Sequence, residues 1–193
     1  MCSWCWGYRP TSDSLFENLP DDVELVYVLG GLAPDSDEPM PDDMRQAIPQ
    51  YWQKIQDMLG TEFNFDFWTE CVPRRSTYPS CRAVIAASNQ DKQKQMIDAI
   101  QRGYYLRAMN PSDNSTLIQF AKELGLDVGN FENDLSSEET EAELQRQLSF
   151  TRSSPVTGFP SLVLVKDNKY YPVAVDYKDY QITLDEITAI SRD

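Results

Sequence analysis

The sequence predicts an α/β protein in which an all-helical block is inserted between two β-containing segments. Three features carry that expectation. A Cys-x-x-Cys pair heads a partly amphipathic stretch, β-branched and aromatic runs occur near both ends of the chain, and helical spacing fills the residues between them. With 193 residues and 41% hydrophobic content, the chain can bury a substantial core.

The first element starts in MCSWCWGYRP. Trp6, Leu15, Phe16 and Leu19 give a helical face, so a helix is expected from about Cys5 to Leu19, closed by Asp21 and Asp22. Pro10 lies inside it and should kink it, because the ring removes a backbone donor. In VELVYVLGGL, Val23 to Leu29 read as a buried strand closed by Gly30 and Gly31. APDSDEPMPDD is a loop. Helical spacing follows at Met44, Ile48, Trp52, Ile55 and Leu59, then at Ala83, Ile85 and Ala86, and at Met96, Ile100, Tyr104 and Leu106. It continues through Leu117, Phe120, Ala121 and Leu124 to Leu144 and Leu148, so the helical block covers roughly residues 40 to 152. In PVTGFPSLVLVKDNKYYPVAV, two β-runs, Ser161 to Val165 and Tyr170 to Val175, flank a turn at Lys166 to Lys169 and predict a hairpin. Pro172 puts the second run at an edge or at a position needing no donor. ITLDEITAISR predicts a closing helix with Thr183 as N-cap and Glu186 three residues on.

Composition excludes several kinds of chemistry. The chain contains no histidine, which removes Ser-His and Cys-His catalysis and every His-ligated metal site. Seventeen basic and 31 acidic residues give a net charge of −14, which disfavours nucleic acids and anionic membrane surfaces as partners. No apolar run approaches the ~20 residues that span a bilayer, and no basic segment followed by an apolar one opens the chain. A cytoplasmic protein is expected. The acidic SSEETEAE stretch reads as a solvated helix start.

The cysteines are Cys2, Cys5, Cys71 and Cys81. Cys2-Ser3-Trp4-Cys5 permits half a zinc site, a structural disulfide or a redox couple. Four-cysteine zinc sites usually show two close pairs, whereas ECVPRRSTYPSCRA holds Cys71 and Cys81 farther apart. A Cys2–Cys5 disulfide closes a strained short loop and does not persist in a reducing cytosol. Redox use therefore leads. A thiol at a helix start faces unpaired N–H groups and the positive dipole end, which can bring its pKa to roughly 3.5–7.5. That position makes Cys2 the nucleophile. Trp4 and Trp6 stand beside the cysteines as substrate contacts or as core. Cys71 and Cys81 are expected to be buried, inert thiols, the alternative being a segment that loops over the site as an auxiliary redox pair; Arg74 and Arg75 are expected to be a solvated pair, the alternative being a site for an anion such as glutathione.

CSWCWGYRP, the GGL after the first β-run, SCRAVIAA and VTGFPSLVL together resemble the DsbA-like branch of the thioredoxin superfamily, in particular bacterial proteins described as protein-disulfide isomerases. The resemblance covers nearly the whole chain. It implies a thioredoxin fold with an inserted helical domain, divided as residues 1–39, 40–152 and 153–193. It further implies a cis bond at Pro160 opposite the cysteines, and a Phe159 backbone that receives an extended substrate. The implied activity is thiol–disulfide exchange on protein or peptide disulfides through Cys2 and Cys5, with no metal and no cofactor beyond the redox-active disulfide, and glutathione as an electron donor. Two other readings stay open. One is a glutathione-dependent transferase or isomerase similar to the kappa class, whose reactive position typically holds serine where CSWC keeps both thiols. The other is a non-enzymatic metal-binding module. One feature departs from the family: the strand that normally leads into the CxxC pair has only Met1 in its place, so an upstream start, another segment or a second copy in a homodimer is expected to fill that position.

Overall fold

The computed structural model describes residues 1–192. The chain runs α1 (Ser3–Glu17), α2 (Asp42–Leu59), α3 (Phe67–Glu70), α4 (Tyr78–Ser88), α5 (Gln93–Leu106), α6 (Asn114–Glu123), α7 (Val128–Leu135), α8 (Glu138–Ser153), β1 (Leu162–Lys166), β2 (Lys169–Val173) and α9 (Tyr180–Arg192).

Helix α1 starts earlier than its apolar spacing suggests. Cys2 is its N-cap in an extended conformation, and its sulfur takes the Cys5 N–H, so the first turn closes around the cysteine pair. The helix keeps Pro10 inside it and ends at Asn18, whose N–H returns to the Leu15 carbonyl.

The expected buried strand from Val23 to Leu29 does not form. The segment has no hydrogen-bonded ladder, and Val26 is 67% and Val28 42% exposed. β-Branched side chains favour an extended backbone, but a strand also needs a neighbour, and the sheet among the described residues consists of β1 and β2 alone. What holds the segment is side-chain chemistry at its far end. The Leu29 N–H donates to Gln147 Oε1 at 2.8 Å, and Ala33 exchanges hydrogen bonds with Thr77.

The hairpin forms with a tighter turn than the sequence suggests. Lys166 pairs with Lys169, leaving Asp167 and Asn168 as a two-residue loop with φ of 50° and 60°. Both residues tolerate the left-handed region, which makes this the primed turn that matches strand twist. Pro172 lies opposite Val163. Pairs alternate in antiparallel ladders, so counting from the turn places Pro172 where its missing N–H breaks no ladder bond. Thr183 is not an N-cap: α9 begins three residues earlier, where Asp179 accepts from the Gln181 N–H at 2.9 Å. Thr183 is instead fully buried, with its hydroxyl donating to the Ala174 carbonyl at 3.0 Å.

Two cores meet at α1. Its Leu15 joins Val173 and Ile187, so one face packs on the hairpin and α9. Its Trp6 belongs to an aromatic cluster around the fully buried Trp52, which stacks on Phe63 at 5.0 Å and meets Trp68 and Tyr105 edge-on at 5.1 and 5.4 Å. Gly7 permits this approach, since a side chain there would press on Ile55 of α2 at 2.7 Å. A third cluster, built on Ala83, Ala87, Met96, Ile100, Leu117 and Phe120, joins α4, α5 and α6. Arg74, expected to be solvated, is half-buried and paired with Asp113 and the Ser112 carbonyl.

Trp6 couples α1 to the helical block twice over, by stacking on Tyr105 at 5.5 Å and by donating its indole N–H to the Glu62 carbonyl at 3.0 Å. Trp6→Ala is expected to destabilise the protein by about 3–5 kcal/mol, read by denaturant unfolding. A loss below about 1 kcal/mol would mean that α1 is held in some other way.

Candidate functional site

The site is assembled where the start of α1 meets the loop ahead of β1. Cys2 and Cys5 are free thiols and lie one helical turn apart. Cys2 Sγ accepts the Cys5 N–H at 3.2 Å and, when protonated, donates to the Phe159 carbonyl at 3.4 Å. The Phe159–Pro160 peptide bond is cis. Residues 157 positions apart in sequence thus meet at one sulfur.

The two thiols differ electrostatically. Hydrogen bonding from Cys5 holds Cys2 below the ordinary thiol value, and this outweighs the opposing effect of burial. The same interaction with Cys2, together with burial, pushes Cys5 upward. One proton shared by the pair therefore stays on Cys5, leaving the anion on Cys2 at the helix start, where the dipole favours it.

A cavity of about 350 Å³ opens beside the pair. Its lining includes Cys2, Cys5, Cys81, Tyr105, Phe159 and Pro160. Gly30 sets its width, because a Cβ there would collide with the Phe159 ring. Of the residues singled out in the sequence, Cys2, Cys5, Phe159 and Pro160 come together. Trp4 does not join that lining; it packs edge-on against Tyr177, ring centroids 5.4 Å apart. Trp6 is core.

Of two further wall residues, Tyr105 escapes sequence reasoning and Cys81 is one of the thiols it singled out. Tyr105 gives no signal beyond helical spacing, yet it is fully buried and its hydroxyl has no protein partner among the described residues. Cys81 faces the cavity from α4, and burial pushes its thiol up to about 11. Cys71 lies elsewhere, against the aromatic cluster, with its thiol directed to the Ala108 carbonyl at 3.0 Å. Among the described residues, no three Cys, Asp or Glu side chains converge as metal ligands.

Comparison with known proteins places this geometry in context. The family described as Thioredoxin matches residues 1–183. Curated relatives include the ClpXP adapter protein SpxH of Halalkalibacterium halodurans, 24% identical over 174 residues, covering 87% of this chain and 56% of that protein. SpxH of Bacillus subtilis is 23% identical, covering 84% of this chain and 54% of its own length. The chain thus spans a little over half the length of these relatives. Among solved structures, a Nitrosomonas europaea protein described as a candidate protein disulfide isomerase superposes with a TM-score of 0.81 at 22% identity, covering 98% of this chain and 92% of that one. The cytosolic disulfide reductase DsbM of Pseudomonas aeruginosa gives 0.77 at 21% identity, covering 100% and 93%, and has also been solved with GSH.

Alkylation tests the site directly. In the reduced protein, Cys2 is expected to react first, its rate rising through an inflection below the ordinary thiol value near ~8.5, whereas Cys81 should stay inert until about pH 11. Gly30→Ala should displace Phe159 and shift the Cys2 inflection. Gly158→Ala, whose added methyl meets nothing within 4 Å, should leave it unchanged. Equal reactivity at Cys2 and Cys81, or identical profiles for the two glycine variants, would contradict this geometry.

Proposed function

The chain belongs to the thioredoxin family, and we propose that it is a thiol–disulfide oxidoreductase acting on protein or peptide disulfides through Cys2 and Cys5. Its fold is thioredoxin-like with a helical insertion, matching DsbA-like structures. The observation that carries the proposal is the asymmetric thiol pair: a Cys2 sulfur stabilised as the anion by the Cys5 thiol and, to a lesser degree, by the Cys5 N–H, and a Cys5 thiol that retains its proton.

The chemistry follows from that asymmetry. The Cys2 thiolate attacks one sulfur of a substrate disulfide, forming a mixed disulfide and expelling the other sulfur as a thiolate. Forming that bond removes the negative charge at Cys2, so the influence that raised the Cys5 pKa disappears. Cys5 then gives up its proton and attacks the Cys2 sulfur. The substrate leaves as a dithiol and Cys2–Cys5 as a disulfide. Two molecules of a small thiol such as glutathione restore the pair, leaving as their own disulfide. In a reducing cytoplasm this cycle runs as reduction or isomerisation. The Phe159 carbonyl, already directed at Cys2, is the backbone group that orients an extended substrate.

A second reading comes from the curated relatives, which are named as adapters and match most of this chain. A thioredoxin-like domain can hold a partner protein without turning over disulfides. No helix among the described residues is long and apolar enough to cross a membrane, which is compatible with either reading.

Insulin reduction with a thiol donor separates the two. Turnover is expected for the native chain, and Cys2→Ser should abolish it. Cys5→Ser should accumulate mixed disulfides through Cys2, visible on non-reducing gels. Absence of turnover in the native chain, or full activity in Cys2→Ser, would exclude the oxidoreductase.

A further inference from the structure

Resolution of a mixed disulfide leaves one proton in search of an acceptor. Once Cys2 is bonded to a substrate sulfur, the anion that held the Cys5 proton is gone, and Cys5 must lose that proton to attack. Among the described residues the cavity lining holds a single carboxylate, Asp13, and Arg9 already pairs with it at 2.9 Å. The other charged groups of the lining are Lys94, a cation, and the Met1 α-amine, whose positive charge favours both thiolates. The chain has no histidine. Neither a free carboxylate nor an imidazole therefore stands ready to take the proton.

Tyr105 supplies a different kind of group. Its side chain is fully buried, it lines the cavity with both cysteines, and its hydroxyl has no partner within the protein among the described residues. The ring is not free to turn toward one. Trp6 stacks on it with centroids 5.5 Å apart, Phe63 and Trp52 meet it edge-on at 5.5 and 5.4 Å, and Tyr104 does so at 4.6 Å. Charge on Cys2 or Cys5 acts on this hydroxyl, which places it within electrostatic reach of the pair. Burial keeps the phenol protonated, so it takes no proton itself. A buried hydroxyl nearly always has a hydrogen-bond partner, and where the protein offers none, water in an adjoining cavity serves. The cavity of about 350 Å³ has ample room for one.

We propose that Tyr105 is a positioning residue for resolution, its hydroxyl holding a water that takes the Cys5 proton as Cys5 attacks the mixed disulfide. The inference rests on the oxidoreductase reading. The hydroxyl accepts a hydrogen bond from the water, which leaves a water lone pair for the Cys5 S–H. In the step the Cys5 S–H bond breaks and its proton passes through the water to solvent. The electron pair left on Cys5 forms the Cys2–Cys5 bond. The bond from Cys2 to the substrate breaks with its pair on the substrate sulfur, which leaves reduced, as a thiolate, while the cysteine pair is oxidised. No further oxidant or reductant enters.

The test is the reaction of the reduced chain with one equivalent of bis-nitrobenzoate disulfide, whose released thiolate is coloured. The first release reports attack by Cys2, and the second reports resolution by Cys5. Tyr105→Phe keeps the ring and removes the hydroxyl, and Tyr104→Phe does the same one residue away, outside the cavity lining. The first release is expected to be unchanged in both variants. The second should slow by about tenfold or more in Tyr105→Phe alone, and added imidazole, a base small enough to enter the cavity, should restore it. An unchanged second release in Tyr105→Phe would overturn the inference and leave the Met1 amine or bulk solvent as the acceptor. Slowing without recovery in imidazole, or equal slowing in Tyr104→Phe, would also overturn it, because either result shows a packing role. Absence of the first release from the native chain would instead contradict the oxidoreductase reading, and this inference with it.

Discussion

The arrangement depends on the seating of α1 against the aromatic cluster. Trp6 stacks on Tyr105, and Tyr105 meets Trp52, which is fully buried among Phe63, Trp68 and Tyr104. Pairs of this kind add about 0.5–1.5 kcal/mol each beyond their buried area, so the cluster fixes the helix firmly. Everything at the site follows from that placement. Cys2 caps the helix, Cys5 sits one turn inside it, and the opposite face of the same helix rests on Val173 and Ile187. A short helix clamped between two cores can present a reactive sulfur without ordering it anew for each encounter.

The cysteine pair shows how local geometry divides labour between identical groups. Both thiols are half-buried, yet only Cys2 receives a backbone N–H, because only Cys2 occupies the cap. The cap bond that closes helix α1 thus adds to the Cys5 thiol's own hydrogen bond, the larger influence, in stabilising the Cys2 thiolate. Cys81 makes the contrast within the same cavity: it lies inside α4 with burial as the dominant influence, and its pKa goes up. Position on a helix, more than residue type, decides which sulfur is reactive.

Much of this was legible in the sequence because it is local. The Cys-x-x-Cys spacing and the helix behind it need only neighbouring residues, and the apolar spacing of the helical block needs little more. The Gly30–Gly31 pair and the Gly-Phe-Pro run were visible as motifs, but that Phe159 lies against Gly30 is a tertiary fact. Tyr105 was hidden for the same reason, since it serves the aromatic cluster and also lines the cavity, contacts that join distant parts of the chain. The misread strand at Val23–Leu29 teaches the opposite lesson. Its β-branched composition describes a segment suited to a sheet, and that suitability becomes structure only when another strand lies alongside. The N-cap assigned to Thr183 failed because its hydroxyl finds a better partner in the buried Ala174 carbonyl.

The central claim is that Cys2 and Cys5 form a reversible redox couple whose reduced state is favoured by the hydrogen bonds Cys2 receives from Cys5, from its thiol first and its backbone N–H second. The most direct measurement is equilibrium titration of the pair against a glutathione redox buffer, with the Cys2–Cys5 peptide read by mass spectrometry. Stabilising the Cys2 thiolate favours the dithiol, so a single two-electron transition is expected at a midpoint above about −270 mV, the value for a thioredoxin pair. A midpoint at or below about −270 mV, or a pair that forms no Cys2–Cys5 disulfide under oxidising buffer, would contradict the account.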